Sequence, residues 1–464
     1  MDLTQLTIKE ALIALERKEC SPIELTQAVL ERIQKINPTL NCYLNVYSEY
    51  ALEQAEQKTK TINRPPRQPL YGIPFGLKDL FAIQGFPLRA ASLVWKNNVA
   101  KEDAFVVKKL RRAGAIFVGH HNMHEIALGV TTVNPHYGAC HNPWNTEHIC
   151  GGSSGGSAAA IAAGLCFGAL GTDTGGSIRI PASLCGVVGF KPTFGRVSVR
   201  GVLPLSWNLD HVGPLAKCVE DAALIYHVIA GYDKLDPYSQ PKSLVKRFDP
   251  SLTQLHGKKI ALASDEFFLQ AQPEVVQAVK QAAQVMRQLG AIVEEVAFPN
   301  ALLAAQTNSL MVISDAAAVY QEQLQKTPQL FGEDILQRLQ NGAMVTSSQY
   351  VQARHTQTLI RKQFNDFFKR YDALLTPTTP VTAPLIQGEN ALEHAKILTK
   401  YTAPFNLSGL PAISLPCGFD SNHLPIGLQI VSKAWNEEIL MQIAYAYEQA
   451  TEWHKSKPSL SDTP

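Results

Sequence analysis

The chain has 464 residues, of which 45% are hydrophobic and 18% charged, and its formal net charge is +2. This composition is typical of a globular enzyme and excludes a disordered protein, and no basic block points to nucleic acid as a partner. The eight cysteines form no CxxC pair, which predicts reduced thiols. We see neither a secretory signal nor about 18 consecutive apolar residues, so we expect a cytoplasmic protein without a membrane partner.

Three helices are predicted at the N-terminus, within residues 1–65. Thr7 to Glu10 and Ser21 to Glu24 each have the pattern of a capping box, with Pro22 at the first position of the second helix. A third helix is predicted for residues 48–61, and the run 63–67, which contains two prolines, should end it.

From Leu70 onward, short apolar runs alternate with helical patterns. Strands are predicted at 71–78, 115–119 and 166–170, and helices at 103–113, 157–164 and 177–184. Strands that alternate with helices indicate an α/β core, which we place at about 70–230.

The segment at about 231–371 is more polar, rich in helical patterns and poor in glycine clusters. It contains one amphipathic helix at 274–289 and two strand candidates near 258–263 and 292–296. After residue 372, strands are predicted at 373–375, 412–415 and 426–431, and a closing helix at 437–451. We therefore expect a single domain over 1–464, in which a variable helical stretch at about 231–371 precedes the C-terminal strands and helix at 372–455.

The first chemically unusual place is the run Gly151–Ser157, which holds four glycines and three serines in seven residues. Glycine allows the backbone to take up crowded or left-handed conformations close to a ligand. A flexible loop is the alternative explanation.

The second place is Gly171–Arg179, where Ser177 falls 24 residues after Ser153. Ser177 lies between an apolar strand and a predicted helix, directly after Gly175 and Gly176. A turn of this kind can point several backbone N–H groups into one small space, as an oxyanion requires. A phosphate group would fit the same turn, so the glycines alone leave both possibilities open.

The third place is Lys78, at the end of an apolar run. A solvated lysine at the end of a strand is the simple explanation. A nucleophilic serine needs a base, however, and a free lysine, with a pKa of about 10.4, is almost entirely charged at pH 7. Burial lowers the pKa of a lysine and yields a neutral amine, and Ser–Lys arrangements replace Ser–His–Asp triads in some enzymes.

These three places, together with Cys185–Thr193, resemble the amidase signature family. Shorter runs that match the family lie at 118–125, 209–214 and 406–411. The resemblance covers nearly the whole chain apart from about 234–371. It implies an α/β amidase-signature fold, with one large mixed β-sheet core covered by helices on both faces, and no cofactor.

The resemblance also implies a catalytic triad in which Ser177 is the nucleophile, Ser153 the bridging serine and Lys78 the base. Such an enzyme hydrolyses the carbon–nitrogen bond of an amide through an acyl-enzyme, releasing a carboxylate and ammonia or an amine. The peptide bond between Gly152 and Ser153 is expected to be cis. The developing oxyanion is expected to be held by the backbone N–H groups of Thr174, Gly175, Gly176 and Ser177.

The polar neighbours of the triad have other expected roles. Ser154 is the rival of Ser153 for the bridging position, but we expect it to bond to loop backbone. Asp173 and Arg179 could bind substrate, and the resemblance favours a scaffold role for both. Asp79 should point away from Lys78, because an ion pair would keep the lysine charged.

Six of the 13 histidines lie between His120 and His148, and Cys140 and Cys150 lie within or next to the same segment. Their spacings match no zinc pattern and HExxH is absent, so we expect no metal site. Instead, His124 and His136 could line the substrate entrance. The residues that we assign to substrate binding are Met123, His124, Gly152 and Ser154.

Three functions remain open at this point. The first is a stand-alone amidase whose partner is a small-molecule amide, with no nucleic acid and with a homodimer as one possible assembly. The second is the glutaminase (A) subunit of a tRNA-dependent amidotransferase, which releases ammonia from glutamine. Those subunits usually carry an aspartate shortly before the Asn406 motif, whereas the stretch Ile397–Lys400 has no acid. The third is a phosphate- or metal-binding module without catalysis.

Overall fold

The computed structural model describes residues 2–61, 68–243, 248–387 and 395–460, and the predicted break at 63–67 lies outside them. The α-helices are α1 Ile8–Glu16, α2 Pro22–Leu40, α3 Ser48–Thr61, α4 Phe105–Arg112, α5 Gly155–Ala162, α6 Arg179–Cys185, α7 Val219–Ile229, α8 Glu266–Leu269, α9 Pro273–Gln288, α10 Ala301–Val319, α11 Gln321–Lys326, α12 Glu333–Ala343, α13 Ser347–Phe367, α14 Ala403–Leu407 and α15 Glu437–Gln449. Short 3-10 helices lie at Leu3–Gln5, Leu93–Trp95, Glu125–Ala127, Pro328–Leu330, Ile397–Thr399 and Trp453–Lys455.

The β-strands build one large sheet and two small hairpins. They are β1 Tyr43–Val46, β2 Pro74–Lys78, β3 Ile116–His121, β4 Val133–Asn134, β5 Gly138–Ala139, β6 His141–Asn142, β7 Asn145–Ile149, β8 Gly168–Asp173, β9 Val188–Lys191, β10 His211–Ala216, β11 Lys259–Ala263, β12 Ile292–Val296, β13 Ala373–Pro377, β14 Ala412–Phe419 and β15 Pro425–Ser432. The large sheet has eleven strands in the order β1-β3-β2-β8-β10-β9-β14-β15-β13-β11-β12. It contains parallel and antiparallel pairs, which confirms the predicted α/β fold with one large mixed sheet.

The N-terminal helices begin where the sequence places them. The Thr7 side chain accepts a hydrogen bond from the backbone N–H of Glu10, and the Glu10 carboxylate accepts one from the backbone N–H of Thr7. These two backbone N–H groups, which have no partner within the helix, are thereby satisfied. Ser21 and Glu24 repeat this capping box at the start of α2, with Pro22 at the first helical position.

The centre of the large sheet positions the residues with candidate chemistry. β2 runs parallel to β8, and every residue of both strands is buried. Because parallel strands end at the same edge of a sheet, Lys78 at the end of β2 comes close to the last residues of β8. β10 runs antiparallel to β8 and pairs His211 with Asp173, so the loop before β10 reaches the same edge.

The stretch predicted as variable and helical contributes to the sheet as well as to the helical layer. β11 and β12 form a parallel pair at one edge of the sheet, and α9 packs on the neighbouring strands. The helices α12, α13 and α14 all pack against α10. The division of the chain into the four predicted stretches stays a prediction.

Helix α10 is long and apolar enough, by length and composition alone, to cross a membrane. Its face with Ala304, Asn308 and Met311 is buried against neighbouring helices. The core helix of a globular protein passes the same test of length and composition, and the packing of α10 is of that kind.

Candidate active site

Lys78 ends strand β2 and its side chain is fully buried. Its Nζ atom lies 2.7 Å from Oγ of Ser153 and 2.7 Å from Oγ1 of Thr172. Burial lowers the pKa of Lys78 to about 7, although the nearby carboxylates of Asp210 and Asp173 act in the opposite direction. A large part of the Lys78 population is therefore neutral at pH 7 and can accept a proton.

The glycine–serine run forms the loop that leads into α5 and holds Ser153 against the lysine. At Gly152, an added Cβ would lie 2.8 Å from Thr132 Oγ1 and 2.9 Å from the carbonyl carbon of Val130, so the loop packs too closely for any side chain there. The peptide bond from Gly152 to Ser153 is cis, as expected. The close approach of the backbone explains why glycine occupies this position.

Ser154 bonds to backbone, in agreement with the prediction. Its Oγ donates to the Thr172 carbonyl at 3.2 Å and accepts from the Thr172 N–H at 3.3 Å. Lys78 thus contacts the first serine of the pair, and Ser154 ties the loop to strand β8.

Ser177 follows β8 in the turn that precedes α6, and 6% of its surface is exposed. The backbone N–H of Ser154 donates to the Ser177 carbonyl at 3.2 Å, so the two serine-bearing loops lie side by side. The Ser177 hydroxyl makes no hydrogen bond to the described part of the chain. The Ser177 hydroxyl is therefore available to react with a substrate.

Asp173 and Arg179 form a buried ion pair that supports the turn that carries Ser177. The guanidinium Nε and Nη2 atoms of Arg179 each lie 3.0 Å from the Asp173 carboxylate, and both side chains are fully buried. Burial alone would favour protonated Asp173, but the Arg179 charge and its hydrogen bonds keep the pKa of Asp173 below the usual range. Arg179 also donates to Asn406 and Gln429 side chains at 2.6 Å each, which matches the scaffold role expected for this pair.

The oxyanion prediction needs a correction at Gly176. The N–H of Gly176 donates to Asp173 Oδ1 at 2.8 Å, so it supports the turn and is not available to a substrate. Gly176 has φ +136°, and an added Cβ would lie 2.1 Å from Thr402 Oγ1, so the turn itself requires glycine. Backbone N–H groups without a hydrogen bond to the described residues belong to Thr174, Gly175 and Ser177.

The sequence reasoning missed two residues beside Lys78. Thr172 provides its second hydroxyl contact, and Asp210 accepts from Thr174 Oγ1 at 2.6 Å. Burial raises the pKa of Asp210 to about 6, against the effect of its hydrogen bonds and of Lys78. The sequence offered one signal for this arrangement. Side chains alternate between the two faces of a strand, so residues 172 and 174 are expected to share a face.

Asp79 points away from its neighbour Lys78, as expected. Its Oδ2 accepts from the Ala91 N–H at 2.9 Å, and burial raises its pKa to about 7. His120, on β3, lies next to it and bonds through Nδ1 to the Tyr47 hydroxyl at 2.8 Å. In the described part of the chain, the Asp79 and His120 side chains make no hydrogen bond to the side chains of Lys78, Ser153 or Ser177.

The histidine-rich segment is held by contacts within the protein. His124 lies 3.4 Å from Asp334 Oδ2 through Nε2, and its backbone N–H donates to the Ser153 carbonyl at 3.2 Å. His136 bonds to Glu125 at 3.1 Å. Among residues 2–61, 68–243, 248–387 and 395–460, no three His, Cys, Asp or Glu side chains are grouped so as to hold a metal ion.

The substrate-binding assignments stay predictions. Met123 is fully buried in an apolar cluster with Leu128 and Tyr320, and His124 is 4% exposed. Gly152 and Ser154 serve the conformation of the loop, as described above. His124 approaches the triad candidates through its backbone N–H, which donates to the Ser153 carbonyl.

The matches to known proteins extend over nearly the whole chain. The model of the family described as Amidase matches residues 24–441. The chain is 38% identical to the A subunit of the glutamyl-tRNA(Gln) amidotransferase of Dehalococcoides mccartyi, over 99% of this chain and all of that protein. Among solved structures, one described as part of a vestigial protein complex that reveals the origins of an s-triazine catabolic enzyme superposes with a TM-score of 0.91 and 32% identity, covering 96% and 98% of the two chains. The native peptide amidase of Stenotrophomonas maltophilia superposes with a TM-score of 0.84 and 29% identity, covering 96% of each chain.

These findings overturn one expectation from the sequence. The low net charge and the lack of a basic block led us to expect no nucleic-acid partner, and a homodimer was named as one possible assembly. The curated relative at 38% identity is by name one subunit of an enzyme that acts on a transfer RNA. The prediction was wrong because net charge describes the whole surface, whereas a protein can reach its assembly through a small part of it.

Proposed function

The chain belongs to the amidase family, whose members hydrolyse the carbon–nitrogen bond of amides, and we propose that Ser177, Ser153 and Lys78 are its catalytic triad. One observation carries the assignment: the fully buried Nζ of Lys78 lies 2.7 Å from Ser153 Oγ and makes no ion pair with the described residues. An amine in that setting can lose its proton near neutral pH and act as a base.

The first half of the reaction forms an acyl-enzyme. Neutral Lys78 takes the hydroxyl proton of Ser153, which in turn takes that of Ser177, and the Ser177 oxygen attacks the amide carbon. The negative charge that develops on the amide oxygen is stabilised by free backbone N–H groups of the turn, at Gly175 and Ser177. When the carbon–nitrogen bond breaks, the proton returns from Lys78 through Ser153 to the leaving nitrogen.

The second half releases the acyl group by the same route. Water replaces the departed amine, and the Ser153–Lys78 pair takes one of its protons as its oxygen attacks the ester. The Ser177–carbon bond breaks, and the Ser177 oxygen recovers a proton from the relay. The products are a carboxylic acid and ammonia or an amine, and the enzyme returns to its starting state.

A fluorescent fluorophosphonate tests the nucleophile without knowledge of the natural substrate. We expect covalent labelling at Ser177, found by peptide mapping, and its complete loss in Ser177→Ala. Ser153→Ala should slow labelling by at least about 10³-fold, since removal of one triad member disables the relay. Ser154→Ala is the matched control, because the Ser154 hydroxyl bonds only to the backbone of Thr172. Equal losses in the two variants would remove Ser153 from the relay.

A second candidate function is the glutaminase reaction of an amidotransferase, favoured by the 38% identity to the A subunit of such an enzyme. The surroundings of the turn weigh against free glutamine as the preferred substrate. The Cα of Gly175 faces Asn308 Oδ1 and Thr399 Cγ2, at 3.3 Å and 4.0 Å from a Cβ built there. Both side chains are neutral, so neither offers a charge to the ammonium group of an amino acid.

Ammonia release from L-glutamine and from butyramide, which lacks the amino and carboxyl groups of glutamine, separates the two candidates. We expect the higher kcat/KM on butyramide. Thr399→Asp should raise kcat/KM for glutamine relative to butyramide, because it adds a carboxylate next to Gly175. A wild-type enzyme that prefers glutamine by tenfold or more would establish the second candidate.

We also propose that the protein works in the cytoplasm. All eight cysteines are free, and seven of them are buried. Buried thiols that are left unpaired fit a reducing compartment, where disulfides do not persist. Measurement of the protein's location by cell fractionation tests this part of the proposal.

A further inference from the structure

Thr172 and Asp173 end β8 and Thr174 follows directly, and these three residues have three different partners. Thr172 Oγ1 contacts Lys78 Nζ at 2.7 Å, and Thr174 Oγ1 donates to Asp210 Oδ1 at 2.6 Å. Residues two apart along a strand face the same side, so the lysine and Asp210 lie on one side of this segment. Asp173, between them, pairs with Arg179 on the other side.

Asp210 is held firmly in this position. Its second oxygen accepts from the backbone N–H of Leu205 at 2.9 Å and from that of Ser206 at 3.1 Å. The Ser206 hydroxyl donates in turn to Asp315 on α10. Three elements therefore fix the carboxylate: the end of β8, the loop before β10 and, through Ser206, helix α10.

The charge of Asp210 has no cationic partner of its own. No Lys, Arg or His forms an ion pair with it in the described ranges, whereas Asp173, the other acid whose charge acts on Lys78, is paired with Arg179. Tyr320, directly after α10, is the further titratable side chain close to Asp210, and burial raises its pKa and keeps it neutral. Asp210 also lines a cavity of about 380 Å³ together with Thr172, so solvent and protons can reach it.

We propose that Asp210 is a positioning residue for amide hydrolysis, which holds Thr174 at the start of the oxyanion turn and sets the charge state of Lys78. The inference rests on the proposed roles of Lys78 and Ser177. With a pKa of about 6, Asp210 is ionised over the range in which Lys78 titrates, at about 7. Its negative charge therefore opposes the effect of burial and keeps Lys78 a stronger base than burial alone would leave it.

The test is the rate at which a fluorescent fluorophosphonate labels Ser177 between about pH 5 and 9. In the wild type this rate should rise with pH through about 7, because the base must be neutral. Asp210→Asn removes the negative charge, which lowers the pKa of Lys78. The rising limb should then move down by about one pH unit, and the plateau should fall.

Two variants separate the two parts of the role. Thr174→Val removes the bond to Asp210 but keeps the carboxylate, so the plateau should fall about tenfold while the limb moves less than in Asp210→Asn. Asp236→Asn changes another carboxylate that lines the same cavity, and the limb should not move. A purely structural role for Asp210 would lower the plateau without any movement of the limb.

A further variant serves as a control for misfolding of Asp210→Asn. In Asp210→Asn, the side-chain NH₂ donor can face the backbone N–H donors of Leu205 and Ser206, which leaves donors without an acceptor. Asp210→Ser removes the same charge and places no NH₂ group there. A limb that stays at the wild-type pH in both variants would overturn the role of Asp210 and leave the triad intact. No labelling of Ser177 in the wild type would overturn the proposed function, and the inference with it.

Discussion

Two buried cationic side chains flank the end of β8, and they are held in opposite ways. Lys78 and Arg179 are both fully buried. Lys78 contacts two hydroxyl groups, those of Ser153 and Thr172. Arg179 contacts the carboxylate of Asp173 through two nitrogens and donates further hydrogen bonds to side-chain and backbone oxygens.

The difference shows how partners, at equal burial, decide whether a group moves protons or holds structure. An ion removed from water costs several kcal/mol unless a counter-ion and hydrogen bonds replace its hydration. Arg179 has both, in the carboxylate of Asp173 and the side-chain oxygens of Asn406 and Gln429. Lys78 has hydroxyls alone, so it gives up its proton near pH 7 and can work as a base.

The largest expected effect comes from Lys78→Met, which replaces the amine with an apolar side chain of similar size. Labelling of Ser177 and amide hydrolysis should fall by at least about 10³-fold, because the relay loses its proton acceptor. Since burial already favours the neutral form of Lys78, the apolar replacement should not unfold the protein. Circular dichroism and thermal unfolding measure the second part, and substantial remaining activity would show that another group is the base.

Arg179→Met should have its main effect on the fold. The substitution leaves Asp173 buried without its counter-ion, and breaking a buried pair in this way costs about 3–5 kcal/mol. Urea denaturation should show this loss in the free energy of unfolding, whereas Lys78→Met, measured in parallel, should show little. Similar losses for both variants would contradict the comparison.

The sequence alone was sufficient for the parts of this site that are local in the chain. Gly151–Ser157 and the turn before Ser177 stand out by their glycines, and the structure shows a close approach of the backbone at Gly152. Lys78 stood out as a lysine after an apolar run. The helix starts at Thr7 and Ser21 were equally local, since a capping box spans only four residues.

Parts that depend on contacts between distant residues were not predictable. Asp210 meets Thr174 because β10 pairs with β8 in one register, and register cannot be read from short apolar runs. The loss of Gly176 as an oxyanion donor follows from the carboxylate of Asp173, whose direction the sequence does not give. The prediction of no nucleic-acid partner was wrong for a related reason, because the net charge does not show how the charges are distributed over the surface.

The pH dependence of stability should carry the signature of Lys78. Its pKa is about 7 in the folded protein and 10.5 for an ordinary lysine, so between these pH values the unfolded chain binds a proton that the folded protein does not. Stability therefore rises with pH across this window, by at most about 1.4 kcal/mol per pH unit for this one group. The difference in unfolding free energy between wild type and Lys78→Met isolates this contribution, and a difference that is flat from pH 7 to 10.5 would contradict it.

The smallest expected effect sharpens what the second hydroxyl does. A neutral Lys78 has one lone pair, which must point at the Ser153 hydroxyl if it is to accept a proton, and its contact with Thr172 Oγ1 fixes that orientation. Thr172→Val keeps the shape of the side chain and removes the hydroxyl. We expect a fall of about tenfold in kcat/KM, the cost of one hydrogen bond, with the position of the rising pH limb nearly unchanged. Thr172→Ser should restore most of the rate, and a valine variant with full activity would mean that Ser153 alone orients the amine.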